Sequence, residues 1–352
     1  MKARFIPYTL NFKRPSGTSR GVMLTKETYF IVLEDENKIG IGECGVLWGL
    51  SPDPKEQYEQ KLSEVCCDIN LGLEALLEGL EAFPSIRMGL MTAFDALNAE
   101  DPMQLYPSEF TSGSNGGLGH GVAINGLIWM GDFEFMNTQI KDRLHEGFRC
   151  LKLKIGAQDF DQEWNLIKRL RSEYHPDDLE IRVDANGAFT IDTALEKLKW
   201  LSDLHLHSIE QPIAVNQWED MARLVLESPL AIALDEELIG LSTSAQKQQM
   251  LSQIKPDYII LKPSLIGGLD RADQWIGWAE NQNIGWWVTS ALESNVGLNA
   301  IAQYTATKDI SMPQGLGTGS LYLNNIPAPL RVQNAQLHYD LNQKWSFNSL
   351  NL

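Results

Sequence analysis

Apolar and polar positions alternate with a period of two over the first stretch of the chain. The alternation runs through Arg4 to Phe12, Glu27 to Leu33 and Ile39 to Ile41. It predicts strands, because successive strand side chains point to opposite faces. Pro15-Ser16-Gly17 and Asp35-Glu36-Asn37 predict the turns between them. From about residue 55 to about 100 the period lengthens. Leu62, Val65, Leu71, Leu76 and Leu80 form a loose helical stripe, and Ile86, Leu90, Ala93 and Leu97 a clearer one. Strands followed by helices predict a small α+β unit. The Ser- and Gly-rich segment from Pro107 to Gly117 reads as its boundary.

From about residue 121 the texture changes. Short apolar runs at Val122–Ile128, Cys150–Ile155, Glu180–Val183, Ser208–Glu210, Ala231–Leu234, Tyr258–Leu261 and Gly285–Val288 alternate with amphipathic stretches such as Phe160–Tyr174 and Ile191–Leu204. Alternating strand and helix predicts a parallel sheet with right-handed crossovers. Seven such units, with an eighth run near Gln314–Thr318, predict a (β/α) barrel rather than an open sheet. The pattern therefore divides the chain into an α+β unit over 1–118, a barrel over 119–320, and a segment over 321–352 that returns to the first unit.

Composition narrows the function classes. The net charge of −17 argues against a nucleic-acid or anionic-membrane partner, because phosphate binding needs clustered Lys and Arg. It leaves room for an anionic small substrate, since a local field can oppose the global one. No apolar run is long enough to span a membrane, and the start lacks the features of a signal peptide. The four cysteines, Cys44, Cys66, Cys67 and Cys150, have no zinc spacing and fit free thiols in a cytoplasmic protein. Nothing in the sequence speaks to the oligomeric state.

The chemistry stands at the strand ends. Lys152 and Lys154 lie in LKLKIG, Asp184 and Asn186 in RVDANG, Glu210 in SIEQP, Asp235 and Glu236 in ALDEE, Lys262 in IILKP and Ser290 in WVTS. The intervals from Lys154 through Asp184, Glu210, Asp235 and Lys262 to Ser290 are 30, 26, 25, 27 and 28 residues, one barrel unit each. In a barrel these side chains meet at the face where barrel enzymes work. Three converging carboxylates repel one another unless a cation joins them. An all-oxygen donor set suits Mg²⁺, or Mn²⁺, better than Zn²⁺. Lys152 and Lys154 share the barrel-facing side of one strand, and Lys262 faces them from across the ring. Lys152 reads equally well as a structural counter-ion. A lysine base must be neutral at working pH, so its pKa must fall from ~10.4 to ~7–8. Such a site suits removal of a proton next to a metal-bound carboxylate. Ser290 reads either as a ligand for a substrate carboxylate or as a cap for the next helix.

With its K-x-K strand and second lysine on the sixth barrel strand, the sequence resembles the enolase superfamily, in the muconate-lactonizing-type subgroup. The resemblance covers nearly the whole chain and implies a modified (β/α)7β barrel with an N-terminal capping domain completed by the C-terminal segment. It implies metal ligands Asp184, Glu210 and Asp235 and a proton-transfer pair Lys154 and Lys262. It makes Asn186 and Glu236 auxiliary and places Arg20, in RPSGTSRG, on a capping loop near the substrate. FKRPSGTSRG, AINGLIWMG and GLGTGSLYLNNIPAPL carry it further. They imply syn-dehydration of a cyclohexadiene carboxylate in menaquinone biosynthesis, with Lys154 as acid and base and Lys262 as a cation beside the enolate. Two opposed lysines also suit an N-acylamino-acid racemase. A dipeptide epimerase typically has an acidic pair on the last barrel strand, where this chain reads GLGTGS. A different class, a non-catalytic metal-binding barrel, would have no use for the lysines.

Overall fold

The alternating N-terminal segment is a three-stranded antiparallel meander of β1 (Lys2–Thr18), β2 (Gly21–Asp35) and β3 (Lys38–Cys44). The computed structural model describes residues 1–18, 21–113, 117–156 and 158–352, so Arg20 lies outside the described residues. The turn expected at Pro15-Ser16-Gly17 is not one. β1 continues to Thr18, and the register with β2 shifts between Asn11 and Ser16. A proline has no N–H for the ladder, and an edge strand absorbs it at such an irregularity. The effect is a hairpin long enough to reach past its own domain.

Three helices cover the meander: α1 (Tyr58–Cys67), α2 (Leu73–Glu78) and α3 (Pro84–Asn98). Leu71, expected on the buried stripe, is exposed in the short 3₁₀ turn between α1 and α2. α3 packs directly on β3 because Gly42 leaves room. A Cβ there would meet the Gly89 carbonyl oxygen at 1.9 Å and the Ala93 nitrogen at 2.6 Å. Gly42→Ala is therefore expected to destabilise the protein by about 3 kcal/mol, read as a lower urea midpoint. An unchanged midpoint would show that β3 and α3 separate at little cost.

The N-terminus of α3 is held from outside the helix. Ser85 donates its N–H and O–H to Asp53 Oδ1 at 3.2 and 2.7 Å. Burial pushes the Asp53 carboxyl up to about 7 against those hydrogen bonds. The folded state then holds a proton that the unfolded chain has lost, so stability falls as pH rises from about 4 to about 7 and levels off above. Asp53→Asn keeps the acceptor and removes the titration. Its stability curve between pH 5 and 8 is expected to be flatter than the unsubstituted protein's by up to a few kcal/mol. Parallel curves would contradict this reading.

The barrel is a seven-stranded parallel sheet in the order β5 (Gly126–Ile128), β6 (Cys150–Lys154), β7 (Glu180–Asp184), β8 (Ser208–Glu210), β9 (Ile232–Leu234), β10 (Tyr258–Leu261) and β11 (Gly285–Val288). The eighth position is filled by Gln314 and Gly315, which bridge in parallel to Ile124 and Thr289 and close the ring. The apolar run at 122–128 splits in two. Its first half, β4 (Val122–Ala123), pairs with a C-terminal hairpin of β12 (Leu330–Gln333) and β13 (Gln336–Tyr339). Beyond that hairpin, Trp345, Phe347, Leu350 and Leu352 pack with Phe30 and Val32 of the meander. Helices α4 (Phe133–His145), α5 (Phe160–Glu173), α6 (Ile191–Ser202), α7 (Trp218–Glu227), α8 (Ser244–Ile254), α9 (Pro263–Ile266), α10 (Leu269–Glu280) and α11 (Asn295–Ala306) follow the strands in turn. The outward strand residues, such as Leu151, Leu153, Ile181, Val183 and Ile209, are buried beneath them. No helix is long and apolar enough to cross a membrane among the described residues.

Candidate active site

Strand register sets the level of each inward side chain. Lys152 is opposite Arg182, Lys154 opposite Asp184, and Asp184 opposite Glu210. Because strand side chains alternate, these residues all point into the barrel in two layers. The lower layer is a plug. Arg182 places its guanidinium 4.4 Å from the Trp287 ring centroid and donates to the Pro313 carbonyl at 3.0 Å and to Glu180 at 2.6 Å. Above the plug gather the charges found in the sequence: Lys152, Lys154, Asp184, Glu210, Asp235 and Glu236 are buried, and Lys262 is partly buried.

Lys152 bridges two carboxylates, 3.0 Å from Asp184 and in direct contact with Glu210. Lys154 donates to Asp184 and, at 3.1 Å, to Asn186 Oδ1. Asn186 passes its own amide N–H to Glu236 Oε1 at 2.8 Å. It does so from a left-handed backbone with φ +45°. Lys262 donates to Asp235, which follows the neighbouring strand β9. Ser290 shares a hydrogen bond of 2.6 Å with the Thr318 hydroxyl. It does not cap the following helix, whose N-cap is Ser294.

The electrostatics follow from burial and these pairings. Burial opposes the charge on Asp184, yet Lys152 and Lys154 hold its carboxyl well below the usual range. Asp235 is also lowered, by Lys262 against burial. Burial and the neighbouring Asp184 push Glu210 well above it. Burial opposes the Lys152 ammonium, but Asp184, Glu210 and Asp235 raise its pKa overall. Lys262 is likewise raised, by Asp235 and Glu236.

The site opens into a cavity of about 880 Å³. Lys152, Lys154 and Lys262 form its floor, and the walls come from both domains. The meander contributes Lys13 to Ser16, in the segment the resemblance placed over the site, and Met23; Leu47 and Leu50 come from the chain just after it and were not singled out in the sequence. Alternation in β1 and β2 shows strands but not what their far end covers, and Leu47 and Leu50 lie outside any periodic run.

The sequence profile described as "Enolase C-terminal domain-like" matches residues 136–344. The o-succinylbenzoate synthase of Desulfotalea psychrophila is 46% identical over 93% of this chain and 96% of its own. The chain belongs to the enolase superfamily. The crystal structure of MenC from Desulfotalea psychrophila superposes with a TM-score of 0.85 at 42% identity, covering 96% of this chain and 99% of that one. The muconate lactonizing enzyme of Pseudomonas fluorescens shares the fold, with a TM-score of 0.83 at 20% identity over 99% of this chain and 97% of its own.

Members of this superfamily bind Mg²⁺. The donor set here fits a hard cation in its chemistry: three buried carboxylates at neighbouring strand ends. Among the described residues, Glu210 Oε1 and Asp235 Oδ1 are buried without accepting a hydrogen bond, while Glu210 Oε2 meets Lys152. Buried oxygens of that kind need a positive partner. As they stand, no three His, Cys, Asp or Glu side chains among the described residues are gathered to hold a metal. Lys152, Lys154 and Lys262 contact these carboxylates.

Proposed function

We propose that the protein is an o-succinylbenzoate synthase. It would catalyse the Mg²⁺-dependent syn-dehydration of 2-succinyl-6-hydroxy-2,4-cyclohexadiene-1-carboxylate to o-succinylbenzoate, a step of menaquinone biosynthesis. The observation that carries this reading is the ring of Lys152, Lys154 and Lys262 around three buried carboxylates, in a chain 46% identical to such an enzyme.

Asp184, Glu210 and Asp235 would hold the metal, which supplies positive charge beside the substrate carboxylate and makes the adjacent carbon more acidic. Lys154, as the free amine, takes the proton from that carbon. Its new N–H then lies on the same face as the departing hydroxyl and donates to it. Water leaves and the ring becomes aromatic, so one lysine serves both steps and the elimination is syn. Asn186, which accepts from Lys154, fixes where that nitrogen points. Lys262 places its ammonium opposite, where negative charge develops, without taking a proton.

The opposed lysines would also serve racemisation of an N-acyl amino acid. A free α-ammonium substrate is disfavoured, because the Gly315–Ser320 segment on the cavity wall carries no acid. Purified protein with Mg²⁺ is expected to convert the cyclohexadiene substrate and to stop when EDTA is added. Faster turnover of N-succinyl amino acids than of that substrate would reverse the assignment, and no turnover of either would remove it.

A further inference from the structure

The turn after β11, Ser290-Ala291-Leu292, lines the cavity with an unusual backbone. Leu292 has φ +62°. A bulky side chain in the left-handed region costs roughly 1–2 kcal/mol and persists only where its surroundings impose it. Three side chains impose it here. Glu293, fully buried, accepts the Ala291 N–H at 2.7 Å and the Ser264 O–H at 2.6 Å. Ser290 Oγ accepts the Leu292 N–H at 3.4 Å. Tyr322 donates its hydroxyl to the Leu292 carbonyl at 2.7 Å.

Two of these three are tied to the meander. The Tyr322 ring lies 4.8 Å from the Phe12 ring of β1, and the two residues form a backbone bridge. Next to it, Leu323 N–H donates to the Asn11 carbonyl at 2.9 Å. Glu293 lies against the meander's exit, where a Cβ on Gly45 would meet its Cγ at 2.7 Å. Lys26 of β2 is buried, and its charge faces Glu43 and Glu293; its ammonium has no hydrogen-bond partner among the described residues. Glu43 in turn accepts the Ser294 N–H at 2.8 Å, the Ser294 O–H at 2.5 Å and the Gly297 N–H at 2.8 Å at the start of α11. β1 and β2 are also the strands that bring Lys13 to Ser16 and Met23 over the cavity.

We propose that Glu293 and Tyr322 are positioning residues that hold the Ser290–Leu292 turn in its strained form as one wall of the cavity, and that their contacts with β1 and β2 make the placing of that wall and of the overhanging hairpin one event. Neither residue touches substrate. Burial pushes the Glu293 carboxyl up and the Lys26 ammonium down; Lys26 opposes the first, and Glu43 and Glu293 oppose the second.

The test compares Tyr322→Phe, which keeps the ring on Phe12, and Glu293→Gln with the unsubstituted protein. Ser264→Ala, which removes one hydrogen bond from Glu293, replaces the latter if it does not fold. Hydrogen exchange is followed at 290–294 and at 13–23, and kcat and KM are measured with the cyclohexadiene substrate. Exchange is expected to quicken in both segments together. KM is expected to rise on the order of tenfold or more, with a smaller fall in kcat. Lower melting midpoints with unchanged KM and unchanged exchange would overturn the proposal, as would exchange that quickens at 290–294 alone. The kinetic arm rests on the o-succinylbenzoate synthase reading. If the unsubstituted protein is inactive, that reading fails and exchange alone decides this proposal.

Discussion

Lys154→Ala is expected to abolish turnover while leaving the protein folded. Lys154 meets Asp184 and Asn186 and faces the cavity, so its loss removes the one group placed to move a proton in both steps. A single general acid–base group contributes about 10²–10⁴-fold, and one that acts twice should lie at or beyond the upper end. The fold should survive because Asp184 keeps its contact with Lys152. Circular dichroism and a denaturation midpoint establish folding, and the rate of o-succinylbenzoate formation reads the loss. Arginine substitutions separate the two lysines' roles, because an arginine keeps its charge and does not give up its proton. Lys262→Arg is expected to retain part of the activity, whereas Lys154→Arg retains none. Turnover by Lys154→Ala within tenfold of the unsubstituted rate would remove the base assignment. Equal loss in both arginine variants would mean that Lys262 also exchanges a proton.

The charged layer was legible because its members recur once per barrel unit. Lys154, Asp184, Glu210, Asp235 and Lys262 each end a short apolar run, and a closed parallel sheet sends such positions to one face. Periodicity therefore carried three-dimensional information that no single segment holds. Pro15-Ser16-Gly17 has the composition of a turn, yet an edge strand with a register shift accommodates it. Leu71 joined the helical stripe by spacing, yet the chain breaks there into a 3₁₀ turn. Ser290 and Ser294 are both serines ahead of a helix, and only the fold shows that Ser294 is the cap. The sequence predicts the return of 321–352 to the first unit, but which residues pair over such distances has no period to show it. Glu43 reaches Ser294 across 251 positions, and Tyr8 reaches Asn324 across 316. Contacts of that kind fix where the meander sits on the barrel, and so which residues wall the cavity.

Glu210→Gln is expected to separate metal binding from stability. Four buried carboxylates, Asp184, Glu210, Asp235 and Glu236, face two buried ammoniums, Lys152 and Lys154, and the partly buried Lys262. Glu210 is the one whose ionisation is least favoured, since burial and the neighbouring Asp184 both work against it. Replacing it with an uncharged side chain of the same shape relieves that repulsion, at the cost of its contact with Lys152. Without added metal, the melting midpoint of the variant should be at least as high as that of the unsubstituted protein. A ligand that binds only the folded state stabilises by RT ln(1 + [L]/Kd), about 2.7 kcal/mol at a hundredfold excess over Kd. Millimolar Mg²⁺ should therefore raise the midpoint of the unsubstituted protein. In the variant that rise should shrink or vanish, and turnover should fall with it. An equal rise in both proteins would place the cation elsewhere. A midpoint well below the unsubstituted value before any metal is added would show that Glu210 holds the barrel together through Lys152, and the repulsion argument would then be wrong.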